Sequence, residues 1–226
     1  MSGAVLATGP NSWVWWPWVT SHGALIWSAT REHIELTLIA LAVGLLLSFP
    51  LALAARRWRW LFAPILGVTG ALYTVPSLAA IGLLLPLTGL TRLTAEIMLV
   101  SYTLLILVRN MMAGFDGVPD DIKEAARGMG FSPTRQLLRI ELPLALPSII
   151  AGLRIAAVTT IGLVTITALI GLGGLGRLMY DGYLRNFHTP LVVGATLSVA
   201  IAVAADLGLV ALQRAATPWA RARREA

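Results

Sequence analysis

The 226-residue chain reads as an all-α integral membrane protein, with about five transmembrane helices and one cytoplasmic helical hairpin. Three observations lead there. Hydrophobic residues make up 57% of the chain and charged residues only 12%, against about a quarter charged in soluble domains. The apolar residues gather into runs long enough to cross a bilayer, and helices are the simplest way to leave no backbone group unpaired in lipid. The longest polar segment lies between the third and fourth runs and carries a spaced motif.

Residues 1–30 form an extracytoplasmic tail rich in tryptophan: Trp13, Trp15, Trp16, Trp18 and Trp27. Trp favours the membrane–water boundary, and Trp58, Trp60 and Trp219 also flank apolar runs, so all eight fit aromatic belts. A tryptophan-lined ligand site in the tail is the alternative. The first Lys or Arg is Arg31, so the basic start of a cleavable signal peptide is missing and none is expected. The first span is 36–55, between Glu35 and Arg56. The 32 uncharged residues of 60–91 hold one span plus a loop, and Pro64, Pro76 and Pro86 predict a kinked or broken helix. A third span over 93–112 keeps Glu96 and Arg109 near the interfaces. The fourth and fifth spans are 147–170 and 191–212. The membrane domain thus occupies 31–214, followed by a basic cytoplasmic tail at 215–226.

Charge sets the orientation. With the N-terminus outside and the C-terminus inside, the cytoplasmic side receives 12 basic residues: Arg56, Arg57, Arg59, Arg109, Lys123, Arg127, Arg135, Arg139, Arg214, Arg221, Arg223 and Arg224. The outside receives four, Arg31, Arg92, Arg177 and Arg185. That bias follows the positive-inside rule and supports keeping the third span. The net charge of +6 is spread over the ends of spans, so it marks topology rather than nucleic acid.

Residues 117–143 predict the hairpin. Pro119 suits a first helical position, with Asp120 and Asp121 placing negative charge at the positive end of the helix dipole. That helix ends near Gly128 or Gly130; Ser132-Pro133 starts a second, and Pro143 stops it. Within it stand Glu124-Ala125-Ala126, then Gly130 after three residues, then Ile140-Glu141-Leu142-Pro143 after nine more. Small Ala125 and Ala126 allow close docking, Gly130 allows a left-handed bend, and Ile140 and Leu142 are apolar anchors. A helical linker with ordinary caps is the plain alternative.

This spacing resembles the EAA signature of ABC-importer permease subunits. The chain looks most like the osmoprotectant branch, which moves glycine betaine, carnitine and choline. Besides the hairpin, 73–78, 107–110, 147–154 and 170–176 carry the likeness, which covers 35–212. The resemblance implies that Glu124, Ala125, Ala126, Gly130, Ile140, Leu142 and Pro143 couple the membrane helices to a separate ABC ATPase subunit. It also implies a second permease subunit, identical or related, an extracytoplasmic substrate-binding protein, and residence in a bacterial cytoplasmic membrane. A permease of the same fold for an amino acid or another small solute is the alternative.

Other chemistries find little support. The only lysine, Lys123, stands between Ile122 and Glu124, so no P-loop exists and ATP and Mg are expected on the partner ATPase. Gly171, Gly173 and Gly176 satisfy G-x-G-x-x-G in form, but they follow a membrane span and read as a tight outer turn. No Cys is present, and His22, His33 and His188 fall in the outer tail or loops, so neither a metal site nor a catalytic residue is expected. Tyr73, Tyr102 and Pro76 are candidates for the substrate pathway, because a quaternary ammonium prefers aromatic faces; helix packing is the alternative for both rings. Arg154 lies ~10 Å along the fourth span and Asp206 ~9 Å from the same side on the fifth, so an intramembrane ion pair is expected, with snorkelling of Arg154 as the alternative.

Overall fold

A computed structural model of the chain describes residues 13–218. The first 12 residues of the tail, together with Trp219, Arg221, Arg223 and Arg224, lie outside the described residues. Among those described, all regular structure is helical. After α1 (Trp16–Ser21), the helix α2 (Gly23–Arg57) begins 13 residues ahead of the expected first span. The charges at Arg31 and Glu35 end the apolar run but not the helix. They pair across one turn at 2.7 Å, which supports it.

The second apolar run is broken. The helices α3 (Phe62–Thr74) and α4 (Ser77–Thr88) follow a 3-10 turn at Arg59–Leu61 and are bent by 97° relative to one another. Of the three prolines, only Pro76 makes the break. Its ring forces Val75 into extended geometry (φ −64°, ψ 124°), which no helix can continue. Pro64 falls in the first turn of α3, where backbone N–H groups lack helical partners in any case. Pro86 is accommodated inside α4. Among the described residues, four other helical segments are long and apolar enough to cross a membrane, and the bent pair passes the same test of length and composition when taken as one broken span.

Next come α5 (Arg92–Asp116), α6 (Asp120–Gly128), α7 (Pro133–Gln136) and α8 (Leu142–Val164). Then α9 (Leu175–Leu184) and α10 (His188–Ala216) complete the chain. The central helix is α5. At the hairpin end it packs Leu107, Val108, Met111, Met112 and Phe115 against Ala52 and Ala55 of α2 and against Ala145 and Ile149 of α8. At the other end Ala95, Met98, Leu99 and Tyr102 pack with Leu36 and Ala40 of α2 and Ile81 of α4. Small residues set these crossings: at Gly114 an added Cβ would lie 2.9 Å from the Ala145 carbonyl, and at Gly152 it would collide with Asn110. Lipid offers no hydrophobic drive to squeeze helices together, so such close contact is what holds them.

Pro143 does not stop a helix, contrary to expectation. A π-helical turn at Leu137–Glu141 joins α7 directly to α8, and the helical run extends from Pro133 to Ile170, 38 residues. The residue four before Pro143 is Arg139, inside that π turn. The hydrogen bond which Pro143 cannot make therefore falls where the regular ladder is already interrupted.

Candidate functional site

The hairpin closes on its glycine. Phe131 N–H donates to Ala126 O at 3.1 Å and Gly130 N–H to Arg127 O at 2.9 Å, with Gly130 at φ +77°. This is a Schellman closure, in which a left-handed residue lets the chain satisfy the last carbonyls of α6. Pro119 precedes α6 rather than opening it, and Asp120 is the first helical residue. Ser132 caps α7 as its side chain accepts from Arg135 N–H. Arg135 then lies 4.7 Å from the Phe131 ring centroid.

The two alanines part company. Ala126 is fully buried, whereas Ala125 is exposed beside Glu124 and Met129. Helical spacing allows this, since neighbours are separated by about 100° around the axis. Among the described residues the ion-pair partner of Glu124 is the exposed Arg127, at 4.0 Å, and its own side chain is largely exposed, leaving the carboxylate open to a partner. Ile140 and Leu142 are half-buried; Leu142 packs on the core, and Ile140 lies with Pro143 and Leu144 beside a shallow recess.

Glu141 is the anchor that motif reading left out. Its side chain is 2% exposed, forms an ion pair with Arg56 at the end of α2, and accepts from Gln136 Nε2 at 2.8 Å. Arg56 also lies 5.3 Å from the centroid of the Phe115 ring. The only available signal was Glu141 itself, a charged residue flanked by Ile140 and Leu142. Hydropathy does not say that Arg56, 85 positions earlier, waits beneath it.

Further into the bundle, Arg154 and Asp206 meet in a two-point contact, Nε to Oδ1 at 2.8 Å and Nη2 to Oδ2 at 3.0 Å. This fork geometry suits a guanidinium better than an ammonium. Arg154→Ala and Asp206→Ala should each lower the yield of folded protein and its transport, because each leaves a lone charge at membrane depth. The swap Arg154→Asp with Asp206→Arg should restore much of both. Swapped protein as poor as either single variant would show that the charges are not interchangeable partners. Tyr73 and Tyr102 stand with ring centroids 5.6 Å apart at the α3–α4 break, and the Tyr102 hydroxyl donates to Val75 O, next to Pro76.

Residues 44–218 match the profile of the family described as "Binding-protein-dependent transport system inner membrane component". The chain belongs to this family. The osmoprotectant import permease protein OsmW of Salmonella typhimurium is 36% identical to this permease over 196 residues, 84% of this chain and 91% of OsmW. The choline transport system permease protein OpuBB of Bacillus subtilis is 34% identical over 200 residues, 88% of this chain and 91% of OpuBB. Among solved structures, an inward-facing MetNI methionine ABC transporter superposes with a TM-score of 0.76 at 21% identity, over 87% of this chain and 98% of that one. That last likeness is of fold. The chain is therefore a multi-pass transport component of the membrane.

In this permease the glycine-rich segment is the turn between α8 and α9, and no strand precedes it. A 3-10 turn at Thr165–Ile170 ends on Gly171 (φ +79°), and Gly173 (φ +98°) and Gly174 (φ +50°) follow before α9. Gly174 presses on the backbone of α2 at Ala29 and His33. His33, expected in an outer loop, is fully buried in α2 and donates from Nε2 to Ile161 O at 3.1 Å. Among the described residues, Trp15 N–H donates to Thr189 Oγ1 at 2.8 Å, and Trp15 and Trp18 pack edge-on against Phe187. These two rings therefore pin α1 to the α9–α10 corner.

Proposed function

We propose that this chain is the transmembrane permease subunit of an ATP-driven importer for osmoprotectants, quaternary amines such as glycine betaine and choline. The observation that carries the coupling role is a hairpin exposed at Glu124 and Ala125 yet locked to the bundle at Glu141. The solute follows the likeness to the two osmoprotectant and choline permeases. ATP and Mg are bound and used by a separate ATPase. An extracytoplasmic binding protein delivers the solute, and a second permease subunit completes the pathway. The N-terminus lies outside and the hairpin and C-terminus lie in the cytoplasm, as the arginine distribution favours.

The mechanism follows from connectivity. A push by the ATPase on Glu124 and Ala125 reaches α7 through the Gly130 bend. From α7 the helical run enters α8 without a loop to absorb the stroke, so α8 moves as a rod. The Arg56–Glu141 pair adds α2 to the moving body. A permease of this fold for an amino acid is the second reading, and uptake separates the two. Co-expressed with its ATPase and binding protein, the chain should import labelled glycine betaine or choline and ignore amino acids.

Glu124→Lys should abolish co-purification of the ATPase while leaving the permease folded, because the one contact Glu124 makes in the hairpin is a long, exposed ion pair with Arg127, of the kind that contributes little to stability. Retained ATPase binding with normal uptake would sink the coupling role. Since the chain has no Cys, Arg127→Cys offers a clean orientation test. Labelling by an impermeant thiol reagent from outside intact cells would reverse the assigned topology.

A further inference from the structure

We propose that Arg109 and Asn110, with Tyr73, form a recognition site in the membrane pathway for the carboxylate of a zwitterionic quaternary amine. The proposal rests on the solute class above and adds which end of the solute is read, and by which residues. Three groups converge here from two separate helices. Arg109 and Asn110 of α5 and Tyr73 of α3 line one recess of about 420 Å³, whose remaining wall is Leu105, Ile106, Ala113 and Ile155.

Arg109 is exposed and, among the described residues, no carboxylate pairs with it. It stands seven residues before the end of α5, ~10 Å along the axis. At that depth it adjoins the middle of α8, since Asn110 nests against Gly152, where any Cβ would strike it. The arginine of the neighbouring recess, Arg154, is already paired with Asp206, across the shared wall of Ile155. Arg109 is thus the uncompensated cation of this face. A guanidinium facing hydrocarbon is strongly disfavoured, so it needs water or an anion before it.

The companions suit a carboxylate attached to a quaternary nitrogen. A guanidinium fork binds a carboxylate at two points. Asn110 gives one Nδ2 hydrogen to Ile106 O at 2.8 Å, keeping its other N–H free. Tyr73 offers a part-exposed ring beside Tyr102, whose own hydroxyl is held by Val75 O. An aromatic face attracts a methylated ammonium, which has no N–H to donate. One small cavity therefore presents a partner for each end of such a zwitterion.

The test uses the whole importer, with labelled glycine betaine and choline as probes. Choline has the same ammonium without the carboxylate. Arg109→Gln should raise the KM for glycine betaine by about tenfold or more, the scale of a lost charge-assisted contact, with a smaller change for choline. Arg109→Lys should recover part of the loss. Equal effects on both solutes, or none on glycine betaine, would overturn the role of Arg109 alone; wild-type import of choline only would do the same. Wild-type protein that imports neither would instead bring down the solute assignment and this site with it. Arg109→Cys supplies a readout independent of solute. An aqueous site predicts reaction with a water-soluble thiol reagent, whereas the control Leu46→Cys, at an exposed position within the first apolar span, stays unreactive. An unreactive Cys at 109 would place the side chain in lipid or protein and end the proposal.

Discussion

Arg56→Ala should destabilise the permease by ~3–5 kcal/mol, more than Glu141→Ala does, although the two residues share one ion pair. The asymmetry comes from burial. The Glu141 side chain is 2% exposed and the Arg56 side chain 28%. Removing Arg56 leaves a nearly buried carboxylate with Gln136 as its remaining hydrogen-bonding neighbour among the described residues. Removing Glu141 leaves a guanidinium that can turn outward while keeping contact with the Phe115 ring. Thermal unfolding of the purified protein in detergent measures both. The double variant should be more stable than Arg56→Ala alone, because no charge is then stranded. Equal single effects, or a double variant as weak as the sum, would show that the pair is not closed as described. Transport should fall along with stability, since the same contact ties the hairpin's stroke to α2.

A still larger effect is expected at the turn between α8 and α9. Gly174→Ala should leave almost no folded protein, a loss beyond the ~4–5 kcal/mol that marks exceptional substitutions. Two costs coincide there. The backbone stands at φ +50°, ψ −112°, outside what L side chains adopt, and the new Cβ would meet Ala29 O and, at 2.6 Å, the His33 nitrogen. Both obstacles are backbone of α2, so no rotamer change relieves them. Gly171→Ala is the control. It has comparable positive φ, +79°, but nothing within 4 Å of its Cβ, so only the left-handed cost of ~1–2 kcal/mol applies. Membrane yield and melting temperature should separate the two variants widely. Similar values would mean that the packing against α2 is looser than this geometry requires.

Much of this architecture was legible from residue order. The hairpin's caps are local chemistry, so Ser132 and Gly130 take the roles their types allow. Arg154 and Asp206 could be matched in depth by counting along two antiparallel helices. The proline readings were uneven for a physical reason. Pro64 falls in a first turn, Pro143 follows a π-helical turn and Pro86 is carried inside α4, whereas Pro76 holds Val75 in extended geometry and so breaks the run. The start of α2 was misplaced because hydropathy reports where lipid begins, while the helix continues through Arg31 and Glu35 by pairing them.

Composition, spacing and capping residues thus determined by themselves that this is a helical membrane protein with a capped polar hairpin, because those properties run along the chain; that it is a permease came from the hairpin's resemblance to a known family. Only the tertiary structure decided that Ala126 is hidden and Ala125 free, that Glu141 closes on Arg56, and that Arg109 faces an open recess while Arg154 does not stand alone. Each of these depends on the angle at which a side chain leaves its helix and on what another helix brings to that spot. Two residues of the same type then acquire different surroundings.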